Sequence, residues 1–527
     1  MNFRTWFEEK VGGSCDRPFI YFEDRVYTYG QVDAMANRVA NAFSAMGVTK
    51  GDKCSVLLNN CPEYIFLWFG LAKLGAVTAC GNIHLRGDGL RYLINHSDSK
   101  IIVSDYDLRE HIETIRAGLS KVEHIIWHGG AAGSAVEGQT LAELLATADD
   151  APPPVLPTEP GDAMCLLHTG GTTGLPKWCI LSQTYYMEIG KKMADFMGLI
   201  NTDRIYDPLP LFHVNPQGYY VMGALAANAS ILITDRFSAS KFWQFVKNYD
   251  INAIVLHRGV VDILKQRPAA EGITDHSVRV GYRLDADFME RFRIPMSING
   301  YGSTEAGGLT NMNRYRLPLD SRAKKLNHLS DCTGKSRDDI AIKIVDENGA
   351  ELLCGQAGEI LVKALKPHVI FDGYYNAPEK TAESICDGWF RTGDIGYLDE
   401  ENRLYFVQRK VESIRVRGEW IFVTEVEKVI NSHNAVNECA IVGIKGSVGE
   451  SEIKAVIELK AGQTVNPEEI IAYCEGKLAY FMIPRFVEFI DKLPRTEAGL
   501  RVPKVELQKT GVANAWDREK AGYKLKK

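Results

Sequence analysis

The sequence predicts an α/β protein of at least two domains, and three observations carry that prediction. Short β-branched runs alternate with longer helical patterns over most of the chain, the signature of βαβ units and parallel sheet. The 527 residues exceed what one hydrophobic core accommodates. After about Gly334 the pattern changes to short strands and turns, which suggests antiparallel sheet.

Taken in order, Met1–Lys10 has no apolar signal region. Cys54–Leu58 reads as a strand leading into a helix over Pro62–Leu74. The most apolar run, Ile65–Cys80, is broken by Lys73 and too short to span a bilayer, so it reads as a buried helix and no membrane partner is expected. Lys100–Ser104 is a further strand. Pro152–Pro160 is too rich in proline for helix or inner strand and marks a surface crossing between subdomains. Met164–Leu167 and Ser230–Thr234 read as strands, the latter before a helix around Ala239–Asn248. Ile340–Val345, Glu359–Val362 and Leu404–Val407 are the short strands of the later region, and from about Glu412 the chain returns to mixed helix and strand. Lys524–Lys527 reads as a solvated tail.

A net charge of −6 gives no reason to expect a nucleic-acid partner, because phosphate backbones favour basic faces. The 11 cysteines are scattered and odd in number, with no Cys-x-x-Cys pair. They read as reduced, mostly buried thiols of a cytoplasmic protein, and not as a disulfide framework or zinc site.

The most informative segment is Leu167–Lys177, which contains Thr169, Gly170, Gly171, Thr172, Thr173 and Gly174 before Lys177. The glycines let backbone N–H groups approach an anion, the threonine hydroxyls add donors, and Lys177 supplies a point charge. It is not a Walker loop, because the lysine follows proline and no Ser or Thr comes after it. A polar hairpin turn is the simpler alternative, disfavoured by the density of Gly and Thr after a strand.

This string resembles the phosphate-binding loop of the adenylate-forming (ANL) superfamily, which includes acyl-CoA synthetases, peptide adenylation domains and luciferases. Further segments resemble its other signatures, in order, over nearly the whole chain. Pro208–His213 resembles the acyl-pocket motif, so that His213 borders the substrate, with Tyr219 a further lining candidate. Asn299–Glu305 resembles the adenine motif. By that resemblance Tyr301 stacks on the base, Gly300 and Gly302 belong to the nucleotide site, Thr304 touches the α-phosphate and Glu305 holds Mg²⁺. Gly388–Asp394 resembles the ribose motif, with Asp394 accepting the vicinal hydroxyls, and Arg409 resembles the arginine that closes over the nucleotide. Glu412 falls at the family's hinge, and Arg417, Gly418 and Glu419 resemble the loop lining the pantetheine tunnel.

The resemblance implies a large N-terminal domain, 1–411, of two doubly wound α/β subdomains plus a small β-barrel-like subdomain. A small mobile α+β lid domain, 412–527, follows. The implied small molecules are ATP or an acyl-adenylate with AMP as its product, coenzyme A and Mg²⁺.

The final signature departs from the family. The segment reads Pro494-Arg495-Thr496-Glu497-Ala498-Gly499-Leu500-Arg501-Val502-Pro503-Lys504, and Leu500 stands where the family has the lysine that bridges carboxylate and α-phosphate during adenylation. An aliphatic side chain cannot relieve the repulsion of two approaching anions, and losing such a donor costs about 10²–10³ in rate. Thioester formation does not need that lysine. The chain is therefore expected to take a preformed acyl-adenylate, made by a separate adenylating enzyme, and pass the acyl group to CoA. In this it is similar to the non-adenylating CoA ligase type associated with platensimycin and platencin biosynthesis. Two smaller departures are Trp178, where the family has glycine, and Gly281-Tyr282-Arg283 at the adenine wall. Competing readings are a complete ATP-dependent ligase with Arg501 or Lys504 as the bridge, an enzyme loading a carrier-protein pantetheine arm, and a binding-only protein.

Overall fold

The computed structural model describes all residues except 131–137, 170–176, 268–273, 320–331, 410–413, 417–418, 422, 446–450, 476, 479–481, 496–501 and 526–527. The chain divides into two compact units. The larger comprises Met1–Lys343, Leu361–Thr392 and Leu398–Tyr405, and the smaller comprises Ile344–Ile360, Gly393–Tyr397 and Phe406–Lys527.

In the larger unit the alternating pattern produces two sheets. The first has six strands in the order His124–His128, Ser99–Asp105, Lys53–Leu57, Val77–Cys80, Ala163–Thr169 and Lys177–Ser182. All its pairs are parallel except the last. The helix Pro62–Lys73 crosses between two of these strands and is buried on every side, as its unbroken apolar run requires. Its one basic residue, Lys73, is fully buried and satisfied by Asp33 at 2.5 Å, Asn37 at 2.6 Å and Glu8 at 3.3 Å. Among the described residues no helix is long and apolar enough to cross a membrane.

The second sheet runs through strands Arg25–Thr28, Pro18–Phe22, Ser230–Ile233, Arg204–Tyr206, Ala253–Val255, Val280–Tyr282, Met296–Tyr301, Asn311–Arg316 and Cys332–Ser336. It is parallel from Pro18–Phe22 to Met296–Tyr301. It turns antiparallel at Asn311–Arg316, earlier than the expected change after Gly334. The physical reason is the connection 302–310, which is short and glycine-rich and returns the chain directly beside the strand it left. Cys332–Ser336 then pairs antiparallel with Leu404 and Tyr405.

The proline-rich crossing is neither helix nor strand. It is pinned by Arg4, which donates to the Pro153 carbonyl at 2.8 Å and the Pro154 carbonyl at 3.0 Å.

The smaller unit contains a four-stranded sheet of Val436–Lys445, Ser451–Leu459, Phe486–Ile490 and Trp516–Asp517. The helices Val423–Asn431 and Pro467–Cys474 supply its core, with Val426, Ile430, Ile441, Ile457 and Ile471 buried together. The architecture is thus α/β, with a large N-terminal and a small C-terminal part.

Candidate active site

Thr169 ends one strand of the first sheet and Lys177 begins the next, and the two are register partners in an antiparallel pair. The seven residues Gly170–Pro176 between them, which include Gly170, Gly171, Thr172, Thr173 and Gly174, lie outside the described residues. The flanking strands do form a hairpin, so hairpin topology and the phosphate-loop reading are not exclusive.

A second segment fixes what Lys177 faces. Residues 371–375 lie along the strand Lys177–Ser182 through three backbone bonds: Ile180 N–H to the Gly373 carbonyl, Asp372 N–H to the Ile180 carbonyl and Tyr375 N–H to the Trp178 carbonyl, at 2.8–3.0 Å. This puts the Lys177 ammonium 4.9 Å from the centre of the Tyr374 ring. The Tyr374 hydroxyl donates to Glu305 Oε1 at 3.2 Å. Burial first, and then the Glu305 charge, raise the Tyr374 phenol well above its usual range, so it stays a donor.

Thr304 and Glu305 sit in the turn between Met296–Tyr301 and Asn311–Arg316. Gly302 opens that turn, and a Cβ there would lie 1.8 Å from the Gly308 carbonyl oxygen, so no other residue fits. The turn is held from three sides. The Tyr185 hydroxyl donates to the Thr304 carbonyl at 2.9 Å. The Phe371 N–H donates to the Glu305 carbonyl at 3.1 Å. Arg337 donates to the carbonyls of Gly307 at 3.0 Å and Leu309 at 3.2 Å, while a bidentate pair with Asp339 neutralises it. Gly300 and Tyr301 are buried in the strand that leads into this turn.

His213 follows a turn closed by its own N–H on the Pro210 carbonyl. Asn60 stitches that turn to the first sheet by donating to the Leu209 carbonyl at 2.9 Å and accepting from Leu211 N–H at 2.8 Å. The His213 side chain is exposed, with the Phe212 ring against it at 4.5 Å between centres. Desolvation by the surrounding protein atoms, followed by the neighbouring His257 and His84, lowers its pKa, so the imidazole is neutral near pH 7. His168 lies beside it, held down to about 4 by burial and by His213. Tyr219 lies on the π-helix Asn215–Val221, buried edge-on against Tyr282 with ring centres 5.1 Å apart.

Trp178 is packed in the core of the first sheet with Val77, Ala79 and Leu166, and its indole N–H donates to the Leu93 carbonyl at 3.1 Å. The departure there is a packing residue. Arg283 takes a left-handed backbone conformation, φ 60°, and donates to the Gly300 carbonyl at 3.3 Å.

In the smaller unit, the Arg409 guanidinium lies 3.3 Å from the buried Asp394 carboxylate, so the two expected ribose-side residues meet each other. Glu412, Arg417, Gly418, Leu500 and Arg501 lie outside the described residues. Val416 and Glu419 are register partners in an antiparallel pair. Lys504 forms an ion pair with Glu427 at 2.7 Å.

The structure thus brings Thr169, Lys177, Thr304 and Glu305 into one neighbourhood of the larger unit and pairs Asp394 with Arg409 in the smaller. Sequence reasoning missed Tyr374, Tyr185, Arg337 and Asp339, which position the turn. None carries a local motif, and each reaches the turn through the fold.

Comparison with known proteins agrees with this geometry. Residues 7–375 match the AMP-binding enzyme family and residues 425–500 match the AMP-binding enzyme C-terminal domain. A crotonobetaine/carnitine–CoA ligase of Salmonella heidelberg is 30% identical over 520 residues, covering 96% of this chain and 98% of that protein. The anthranilate CoA ligase AuaEII in complex with anthranoyl-AMP superposes with a TM-score of 0.82 at 22% identity, covering 97% of both chains. ATP-bound MatB from Rhodopseudomonas palustris gives a TM-score of 0.82 at 24% identity, covering 97% of this chain and 99% of its own.

Proposed function

The chain belongs to the AMP-binding enzyme family as an adenylate-forming acyl-CoA ligase, and on that premise we propose that its own chemistry is limited to the thioester step. The thiolate of CoA attacks the acyl carbonyl carbon of an acyl-adenylate. A C–S bond forms, the bond from carbonyl carbon to phosphate oxygen breaks, AMP leaves with the electron pair, and the thiol proton passes to solvent.

The observation that carries this reading is Leu500 in the last signature, where the family has its bridging lysine. The Lys504–Glu427 ion pair supports it, because the nearby ammonium is already neutralised by a carboxylate of its own unit. Two anions brought together without a positioned cation meet a barrier that adenylation cannot avoid, whereas an acyl-adenylate arrives already activated.

In this proposal the backbone and hydroxyls of Thr169–Gly174, with Lys177, cradle the phosphate. Thr304 contacts the α-phosphate, and Tyr301 with Gly300 and Gly302 holds the adenine. Asp394 takes the ribose hydroxyls with Arg409 beside it, and Glu412 is the hinge. Arg417, Gly418 and Glu419 pass the pantetheine arm, and His213 and Tyr219 border the acyl group. Glu305 offers carboxylate oxygens, the hard donors that suit Mg²⁺, which would offset phosphate charge when bound. A neutral His213 adds no charge beside the acyl group.

A separate adenylating enzyme would supply the substrate, as befits the non-adenylating type associated with platensimycin and platencin biosynthesis. The complete ATP-dependent ligase is the second reading, favoured by the intact Thr304-Glu305 pair.

The test offers the full chain aromatic, linear and polycyclic acyl-AMPs with CoA, and separately the same acids with ATP, Mg²⁺ and CoA. Thioester is scored by mass spectrometry. Product from acyl-AMP and none from acid plus ATP is expected. Acid-dependent exchange of pyrophosphate into ATP, at the rate of thioester formation, overturns the proposal and leaves the full-cycle ligase. Acyl transfer to a pantetheinylated carrier in preference to CoA would instead make the chain a loading enzyme.

A further inference from the structure

On the opposite border of the first sheet a cluster of side chains takes no part in the proposed reaction. Strands Ser99–Asp105 and His124–His128 run parallel, and their last residues, Asp105 and His128, are register partners. The helix Pro62–Lys73 begins beside them, with Cys61 at its N-cap and Glu63 in its first turn. Among the described residues, Cys61, Glu63 and His128 form the one trio of metal-ligating types whose donor atoms all lie within 4.8 Å of one another.

The orientation of the histidine is a second, independent observation. Its Nδ1 lies 2.9 Å from Asp105 Oδ1, while its Nε2 faces Glu63 Oε2 at 3.7 Å. A histidine that binds a metal through one nitrogen nearly always gives the other N–H to a carboxylate, which fixes its tautomer and aims the free lone pair. Asp105 is itself held, its other oxygen accepting from both the backbone and the side-chain amide of Asn59 at 2.7 Å. The thiol of Cys61 is buried and takes part in no disulfide.

We propose that Cys61, Glu63 and His128 form a zinc site that ties the start of the Pro62–Lys73 helix to the ends of two strands of the first sheet. Sulfur, nitrogen and carboxylate oxygen together are the donor set of Zn²⁺, whereas Mg²⁺ and Ca²⁺ take oxygen alone. Zinc bonds of about 2.0–2.3 Å place tetrahedral ligands about 3.3–3.8 Å apart. The Glu63–His128 separation already meets that spacing, and the trio closes by about 1 Å at its widest. Thiolate and carboxylate charges balance the ion, water completes the fourth position, and binding releases the Cys61 proton together with the Nε2 proton that His128 otherwise shares with Glu63. The guanidinium of Arg25, 3.9 Å from Glu63, opposes it.

The experiment strips the full-length chain with a chelator and titrates it with Zn²⁺ alone, then with Co²⁺ as a spectroscopic reporter, counting bound metal by mass spectrometry. One equivalent is expected, with a thiolate-to-cobalt charge-transfer band that Cys61→Ser abolishes. His128→Ala should weaken zinc binding at least tenfold, and Asp105→Asn by about 10- to 100-fold. Arg25→Ala, which removes no ligand, should tighten it about 2- to 5-fold. Circular dichroism verifies that each variant is folded. Less than 0.1 equivalent of zinc on the native chain, or cobalt spectra unchanged by Cys61→Ser, overturns the proposal.

Discussion

Replacing Arg337 with methionine tests how the Thr304-Glu305 turn is held. The guanidinium and the Asp339 carboxylate are both fully buried, with contacts of 2.7 and 2.9 Å. The same guanidinium supplies the donors for the carbonyls of Gly307 and Leu309. Methionine preserves the bulk and removes everything polar. It leaves one buried carboxylate without its cation and two carbonyls short of a donor, which together cost about 3–5 kcal/mol. For a unit of this size that lowers the melting temperature by about 4–6 °C. Asp339→Leu should cost a similar amount, because it strands the arginine. The double variant Arg337→Met with Asp339→Leu should regain about half or more of the combined loss, since an apolar pair of similar volume replaces both charges. Differential scanning calorimetry on the four proteins supplies the cycle. A double variant whose loss equals the sum of the single losses would refute the reasoning, as would an Arg337→Met protein melting within about 1 °C of the parent.

Two further outcomes are expected. Leu500→Lys places an ammonium at the bridging position and should raise acid-dependent pyrophosphate–ATP exchange by about 10²–10³ while leaving thioester formation from acyl-AMP within about twofold; equal exchange in both proteins counts against the electrostatic argument. Asp207 is buried, receives one backbone N–H from Leu209, and its carboxyl is pushed up to about 8 by burial. Because the folded value exceeds the unfolded one, the folded chain keeps a proton that the unfolded chain releases. The stabilisation is complete below about pH 4 and lost as pH rises through about 8. Asp207→Asn should therefore match the parent at pH 4 and exceed it by about 2–5 kcal/mol at pH 9 in urea titrations, and a difference independent of pH would exclude the assignment.

Much of this was legible because the demands are local. A buried helix announces itself in the apolar run from Pro62 to Lys73. The 302–310 turn does so through Gly302, the one residue type its backbone admits. What escaped depends on tertiary approach. Tyr374 reaches Glu305 because its segment lies along the Lys177–Ser182 strand, a pairing no local period encodes. Arg337 closes the turn from a later strand end, and its sequence neighbourhood resembles any charged surface loop. Cysteine spacing weighs one cysteine against another, so a trio drawing one thiol, one carboxylate and one imidazole from separate elements is invisible to it. The change of sheet direction comes earlier than the strand pattern predicts because the adenine-like motif is also a hairpin turn.

The π-helix Asn215–Val221 bears on how this family member can change its acyl preference. Its wide turn is anchored from behind by Gln217, which accepts from the Tyr186 hydroxyl at 2.5 Å and donates toward Tyr64 at 3.4 Å and Cys80 at 3.2 Å. Rewinding the segment to an ordinary helix would drag that amide out of its sockets inside the core. Under the proposed acyl-pocket role of Tyr219, substrate scope is therefore more accessible by exchanging that side chain than by moving the main chain beneath it, and libraries that spare Gln217, Tyr186 and Tyr64 should yield more folded variants than those that do not.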